Sequence, residues 1–90
     1  MELKNKVALV TAATKGIGLA SAEKLAENGA IVYIGARNED LAKEVIKEIQ
    51  EKGGMAKYVY FNAREASTYT AMVEEVIKNE GRIDILVNNY

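Results

Sequence analysis

Val7-Ala8-Leu9-Val10-Thr11-Ala12-Ala13-Thr14-Lys15-Gly16-Ile17-Gly18 is the stretch that decides the fold. Its first four residues form a short, wholly apolar run, as expected of a strand buried on both faces. After the loop Thr11 to Gly16, the segment Ile17 to Asn28 repeats apolar residues at helical spacing. Leu19, Ala22, Leu25 and Ala26 form its stripe. Gly29 then stands where a helix C-cap belongs. Buried strand, glycine-bearing turn and amphipathic helix, in that order, open a βαβ unit.

The alternation continues outward from there. Ile31-Val32-Tyr33-Ile34 reads as a second buried strand, and Asn38 as the N-cap of a helix with the inner face Leu41, Val45, Ile46 and Ile49, ended near Gly53-Gly54. Ala56 to Phe61 is β-branched and aromatic enough for a third strand. Tyr69, Met72, Val73, Val76 and Ile77 mark a third helix closed by Gly81, and Ile83 to Val87 a fourth strand. No repeat or low-complexity tract interrupts the series. Strands joined by helical crossovers run parallel, and the crossovers are right-handed. The expected fold class is therefore α/β: a Rossmann-like, doubly wound parallel sheet with its first four strands in the order 3-2-1-4. The third helix should lie on the face opposite the first two. Ligands bind such sheets at the carboxyl ends of the strands, at the reversal between the first and fourth.

Composition narrows the chemistry. Ninety residues suffice for one small domain with a thin stability margin. The absence of cysteine and histidine excludes disulfides, thiol chemistry, histidine-based metal sites and imidazole-dependent triads; no metal site is expected. With 12 basic and 13 acidic residues and a net charge of −1, there is no signal for a nucleic-acid or membrane partner. The N-terminus lacks the apolar core of a signal peptide, and no apolar run is long enough to span a membrane, so a cytoplasmic location is expected.

The first loop carries the binding chemistry. Ala12 is small, and Gly16 and Gly18 leave no side chain between the helix start and a ligand. The free N–H groups of that helix start can meet a pyrophosphate, helped by the helix dipole. An ordinary glycine-rich strand–helix turn would look similar locally. The placement after a buried strand, at the first βα turn, favours dinucleotide binding.

Thr11-Ala12-Ala13-Thr14-Lys15-Gly16-Ile17-Gly18 resembles the coenzyme loop of the classical short-chain dehydrogenases, Thr-Gly-x-x-x-Gly-x-Gly. Asp84-Ile85-Leu86-Val87-Asn88-Asn89 is similar to that family's second landmark, an Asn-Asn pair ending the fourth strand. The resemblance spans Lys6 to Tyr90 and implies that residues 1–90 are the N-terminal part of a single dinucleotide-binding domain, truncated before its catalytic half. Ala12 departs from the family glycine; alanine is tolerable there if φ is negative and costly if φ is positive, and binding is expected to survive it. Tyr90 stands where the family has Ala. Ala12, the Asn88-Asn89-Tyr90 ending and Tyr60-Phe61-Asn62-Ala63-Arg64-Glu65 together resemble the 7α-hydroxysteroid dehydrogenase branch, which oxidises bile acids.

Charge bears on the cofactor. NAD-binding Rossmann sites place an acid at the end of the second strand to hold the ribose 2′-OH. Here Ala36 occupies that position, Arg37 follows, and Lys15 sits in the glycine loop. An arginine fork suits a 2′-phosphate, which makes NADP the expected cofactor. The resemblance implies further cofactor contacts at Ala12, Thr14, Gly16, Ile17, Gly18, Asn62, Ala63 and Asn89, with Asn88 tying strand ends together.

The family's catalytic signature, Tyr-x-x-x-Lys with a preceding serine, is absent. Four residues after Tyr33, Tyr58, Tyr60 and Tyr69 stand Arg37, Asn62, Arg64 and Val73, so no catalytic residue is expected in this chain, and by itself it should be inactive. Ser21 and Ser67 read as solvated or capping residues. The leading expectation is the cofactor-binding part of an NADP-dependent oxidoreductase acting on a steroid hydroxyl, a homotetramer when full length. Alternatives are a 3-oxoacyl-carrier-protein reductase or other carbonyl reductase of the same family, and a non-catalytic nucleotide-binding module.

Overall fold

Seven elements follow one another in the computed structural model, which describes residues 2–12 and 16–88. They are β1 (Val7–Thr11), α1 (Gly16–Glu27), β2 (Ile31–Ala36), α2 (Glu39–Glu51), β3 (Met55–Tyr60), α3 (Ala66–Glu80) and β4 (Ile85–Val87). The strands form one parallel sheet in the order β3-β2-β1-β4. Val7 faces Ile31 across β1 and β2, and Ala8 faces Ile85 across β1 and β4. The expected α/β class and strand order are both found.

Side chains of a strand alternate between faces, and the core divides accordingly. Ala8, Val10, Val32, Ile34 and Ala56 belong to one buried cluster with Ala22, Ala26, Ala42, Val45 and Ile49 of α1 and α2. Val7, Leu9, Tyr33, Val59 and Phe61 belong to the other, with Met72 and Val76 of α3. Among the described elements the third helix thus packs alone on the opposite face, as the strand order requires.

Helix phase differs from the expected stripes at two places. On α2 the buried residues are Ala42, Val45 and Ile49, while Ile46 is half-buried and Leu41 is 48% exposed. Asn38 starts this helix, its side chain accepting from the Leu41 N–H at 3.1 Å, and the face packed on the sheet begins with Ala42 while Leu41 is turned outward. On α3, Met72 and Val76 are buried, Tyr69 and Val73 pack beside them, and Ile77 is 43% exposed. Gly81 closes α3 at φ 81, a left-handed position in which its N–H reaches the Ile77 carbonyl.

β4 is shorter than the expected Ile83–Val87 because Asp84 does other work. Its N–H donates to the Val7 carbonyl at 2.8 Å, and its Oδ2 accepts from the Val7 N–H at 2.9 Å. Arg82 binds its Oδ1 at 2.6 Å. These bonds hold the Asp84 carboxyl below the usual range, the Arg82 contact most of all. A second knot lies in the other half of the sheet, where the Tyr33 hydroxyl donates to Glu80 Oε2 at 2.7 Å and Lys57 Nζ to the same oxygen at 3.1 Å.

Candidate functional site

A cleft of about 350 Å³ opens at the carboxyl ends of β1, β2 and β3. Its lining comes from Ala12 after β1, Gly35 to Asn38 at the end of β2, and Phe61 to Arg64 after β3. The size falls in the range of small-molecule sites. It sits where α/β sheets bind ligands, on the β1–β3 side of the strand reversal.

The walls are held in place by identifiable bonds. The Ala36 carbonyl accepts from both the Tyr58 hydroxyl at 2.9 Å and the Phe61 N–H at 3.2 Å, which pins the end of β2. β2 ends at Ala36, Asn38 caps α2, and Arg37 is held between these two fixed points. A Cβ at Gly35 would come within 2.5 Å of the Met72 Sδ, so a side chain there requires Met72 to shift. The β2 floor is therefore set by α3 beneath it.

Asn62 builds the third wall. Its Oδ1 accepts from the Arg64 N–H at 3.0 Å, and its Nδ2 donates to Glu65 Oε1 at 3.1 Å. Its N–H donates to the Thr68 hydroxyl at 3.0 Å, and its carbonyl accepts from that hydroxyl at 2.8 Å and from the Glu65 N–H at 2.9 Å. The side-chain amide keeps one N–H and one lone pair for a ligand. Its main task in this structure is to fold the turn through Ala63 and Arg64.

Of the residues expected at the site, Ala12, Arg37, Asn62 and Ala63 all line the cleft. Gly16, Ile17 and Gly18 form the start of α1, with Gly18 buried and Ile17 78% exposed. Gly16 has φ 63 with open space where a Cβ would stand. Thr14, Lys15 and Asn89 lie outside the described residues. Tyr58, Gly35, Phe61 and Arg64 belong to the site without having been singled out as cofactor contacts. Tyr58 and Gly35 act through the packing of neighbouring elements, which no local pattern encodes. Arg64 stood within a stretch already noted, next to Ala63.

Ala12 adopts φ 55, the left-handed region that favours glycine. By the criterion that a positive φ makes alanine costly, the departure from glycine is a strained one and not a neutral exchange. Its N–H nonetheless bonds the Gly35 carbonyl at 2.9 Å, so the turn forms in spite of the methyl group.

What the cleft can do chemically follows from its charges. Among the described residues that line it none is acidic, and two carry guanidinium groups, Arg37 and Arg64. With the pinned end of β2 and the glycine-opened α1, this suits an anionic nucleotide. Among the described residues no group of acidic side chains could hold a metal ion, and no helix is long and apolar enough to cross a membrane.

Comparison with known proteins agrees with the geometry. The chain is 66% identical over 88 residues to a 7alpha-hydroxysteroid dehydrogenase of Clostridium sardiniense, matching 98% of this chain and 34% of that protein. It is 38% identical over 90 residues to a short-chain dehydrogenase/reductase homologue of Bacillus subtilis, covering 83% of that shorter protein. Among solved structures, a metagenomic short-chain oxidoreductase in complex with NADP superposes with a TM-score of 0.96 at 37% identity, over 100% of this chain and 41% of the other. The chain thus spans about a third of the length of the hydroxysteroid dehydrogenase it matches. The pattern of one family, described as short chain dehydrogenase, runs from residue 6 to residue 90. No described element falls outside that span, and the chain belongs to the short-chain dehydrogenase family.

Proposed function

We propose that this chain is the cofactor-binding part of an NADP-dependent oxidoreductase that acts on a steroid hydroxyl, the 7α-hydroxyl of a bile acid. The observation that carries the cofactor reading is the end of β2. Ala36 stands where an acid would hold a ribose 2′-OH, and Arg37 lines a cleft with no carboxylate among the described residues of its wall. A bound metagenomic relative in complex with NADP supports it. The substrate reading rests on the 66% identity to a 7alpha-hydroxysteroid dehydrogenase.

The residues fit the cofactor in a definite way. Arg37 would face the 2′-phosphate, Ala12 and the Gly16–Gly18 start of α1 the pyrophosphate, and Asn62 and Ala63 the adenine. Thr14, Lys15 and Asn89 complete this proposed set. When bound, NADP supplies a nicotinamide that takes a hydride from the carbinol carbon. The hydroxyl proton then needs a base, and a tyrosine activated by a lysine is the one this family uses. We assign that pair, and the substrate pocket, to sequence beyond residue 90, in one domain continuous with residues 1–90 that acts as a homotetramer in the cytoplasm.

The test is Arg37→Ala in the complete protein. A hydrogen bond to a charged group is worth about 1.5–3 kcal/mol, so NADP binding should weaken roughly ten- to a hundredfold, with NAD nearly unchanged. Equal weakening of both cofactors would remove the basis of the NADP assignment. The 90-residue chain alone should show no NADP-linked oxidation of bile acids above a protein-free blank. Turnover there, in a preparation free of host dehydrogenase, would place catalytic groups within these residues. The short Bacillus relative, of which this chain covers 83%, favours a second reading as a stand-alone nucleotide-binding module. Cofactor binding without turnover in the natural protein would select it.

A further inference from the structure

We infer that Arg64 is a second specificity-determining residue, closing with Arg37 on the 2′-phosphate of the cofactor from the β3 side of the cleft. This rests on the NADP reading above and adds to it a residue from a different strand.

Three observations converge on it. First, Arg37 and Arg64 line the same cleft from neighbouring strand ends: β2 and β3 are paired through Ala36 and Tyr60, and each arginine follows its strand within a few residues. Secondly, neither guanidinium has an ion-pair or hydrogen-bond partner among the described residues. The chain's third arginine, Arg82, is by contrast bound to Asp84. Thirdly, the acids nearest in sequence are engaged elsewhere. Glu65 accepts from the Asn62 amide and Glu39 pairs with Lys43 at 3.2 Å.

Two unpaired like charges on one cleft repel each other, and a doubly charged anion between them turns that cost into attraction. Arginine is suited to the task because its planar fork can grip two phosphate oxygens at once. The turn that presents Arg64 is also fixed in advance. Its N–H is held by Asn62 Oδ1, and Asn62 is itself held by Thr68 at the start of α3. Little backbone order therefore has to be gained on binding. A ligand without the 2′-phosphate offers Arg64 no such partner.

The complete protein, as wild type, Arg64→Gln, Arg64→Lys and Arg37→Ala, is titrated calorimetrically with adenosine 2′,5′-bisphosphate and with adenosine 5′-monophosphate. Circular dichroism confirms that each variant is folded. Because Arg64 is exposed, Arg64→Gln is expected to weaken the bisphosphate by about three- to tenfold and to leave the monophosphate unchanged. Arg64→Lys should restore part of that loss. If Arg64→Gln weakens both ligands equally, Arg64 acts on the shared adenosine and the inference is overturned. No change in either ligand, with Arg37→Ala still selective, overturns it too while leaving the NADP reading intact. Wild-type protein that does not prefer the bisphosphate would overturn the NADP reading, and this inference with it.

Discussion

Replacing Ala12 by glycine should make the protein more stable, against the usual direction of that exchange. Ala12 sits at φ 55, where a Cβ crowds the carbonyl oxygen that follows, at a cost of about 1–2 kcal/mol. Glycine removes that cost but gives the unfolded chain freedom worth about 0.4–1 kcal/mol. The balance favours Ala12→Gly by about 0.5–1 kcal/mol. The backbone bond from residue 12 to the Gly35 carbonyl is kept, since no side-chain atom takes part in it. For a protein of 150–250 residues, Tm should rise by about 1–4 °C, and by more for a smaller unit. Ala20 provides the matched control, being exposed and inside α1. Ala20→Gly should cost about 1 kcal/mol through lost helix propensity alone. Thermal and urea unfolding of wild type and both variants, side by side, give two shifts of opposite sign. If Ala12→Gly destabilises as Ala20→Gly does, residue 12 is not left-handed and the account of the first loop is wrong.

Two further outcomes are expected. Met72→Ala should lose about 2–5 kcal/mol, because Met72 is 1% exposed and packs beneath Gly35, whereas Leu41→Ala should lose under about 1 kcal/mol, as befits a half-exposed side chain; equal losses in urea unfolding would contradict the phase of α2. Stability should also fall at both ends of the pH range. Glu80 is held below its ordinary range first by the Tyr33 hydroxyl and then by Lys57, and Asp84 by Arg82 and the Val7 N–H. Their contributions are present above the ordinary carboxylate range and vanish as pH falls through the depressed values. Tyr33 is pushed up by burial and then by Glu80, and Lys57 is pushed up by Glu80, so their contributions are present below the ordinary values and vanish as pH rises through the raised ones. Glu80→Gln should flatten both limbs in urea midpoints measured across pH, and an unchanged profile would show that this knot is not coupled to folding.

Periodicity made the sheet legible because Val7 to Val10, Ile31 to Ile34 and the α1 stripe each bury one regular pattern. Strand order followed from the crossovers and not from any single residue. The misreadings came where the three-dimensional packing or a specific bond overrode the pattern. Leu41 is as apolar as a core residue, yet α2 turns the smaller Ala42 to the sheet, and Ile83-Asp84 reads as strand although the Asp84 carboxylate takes the Val7 N–H. At the cleft, Arg37 was legible because its position next to Ala36 has a chemical meaning in any such sheet. Tyr58 was not, since its hydroxyl reaches a carbonyl 22 positions away. The conformation of Ala12 was equally out of reach: composition can say that alanine is costly at positive φ, but only the fold says that φ is positive.

The central position of β1 also orders events in time. Val7 finds Ile31 about two dozen positions later in the chain, but Asp84 only 77 positions later. Closing the longer loop costs roughly 1 kcal/mol more in chain entropy, and the return comes only after all three helices have been made. During synthesis β1, β2 and β3 can zip together with α1 and α2 while β4 is still inside the ribosome. One side of β1 then waits with its ladder unmade, and Thr11 cannot yet give its hydroxyl to the Val87 carbonyl. Any slowing of translation between α2 and β4 lengthens that wait, and so the period in which a foreign strand could take β4's place.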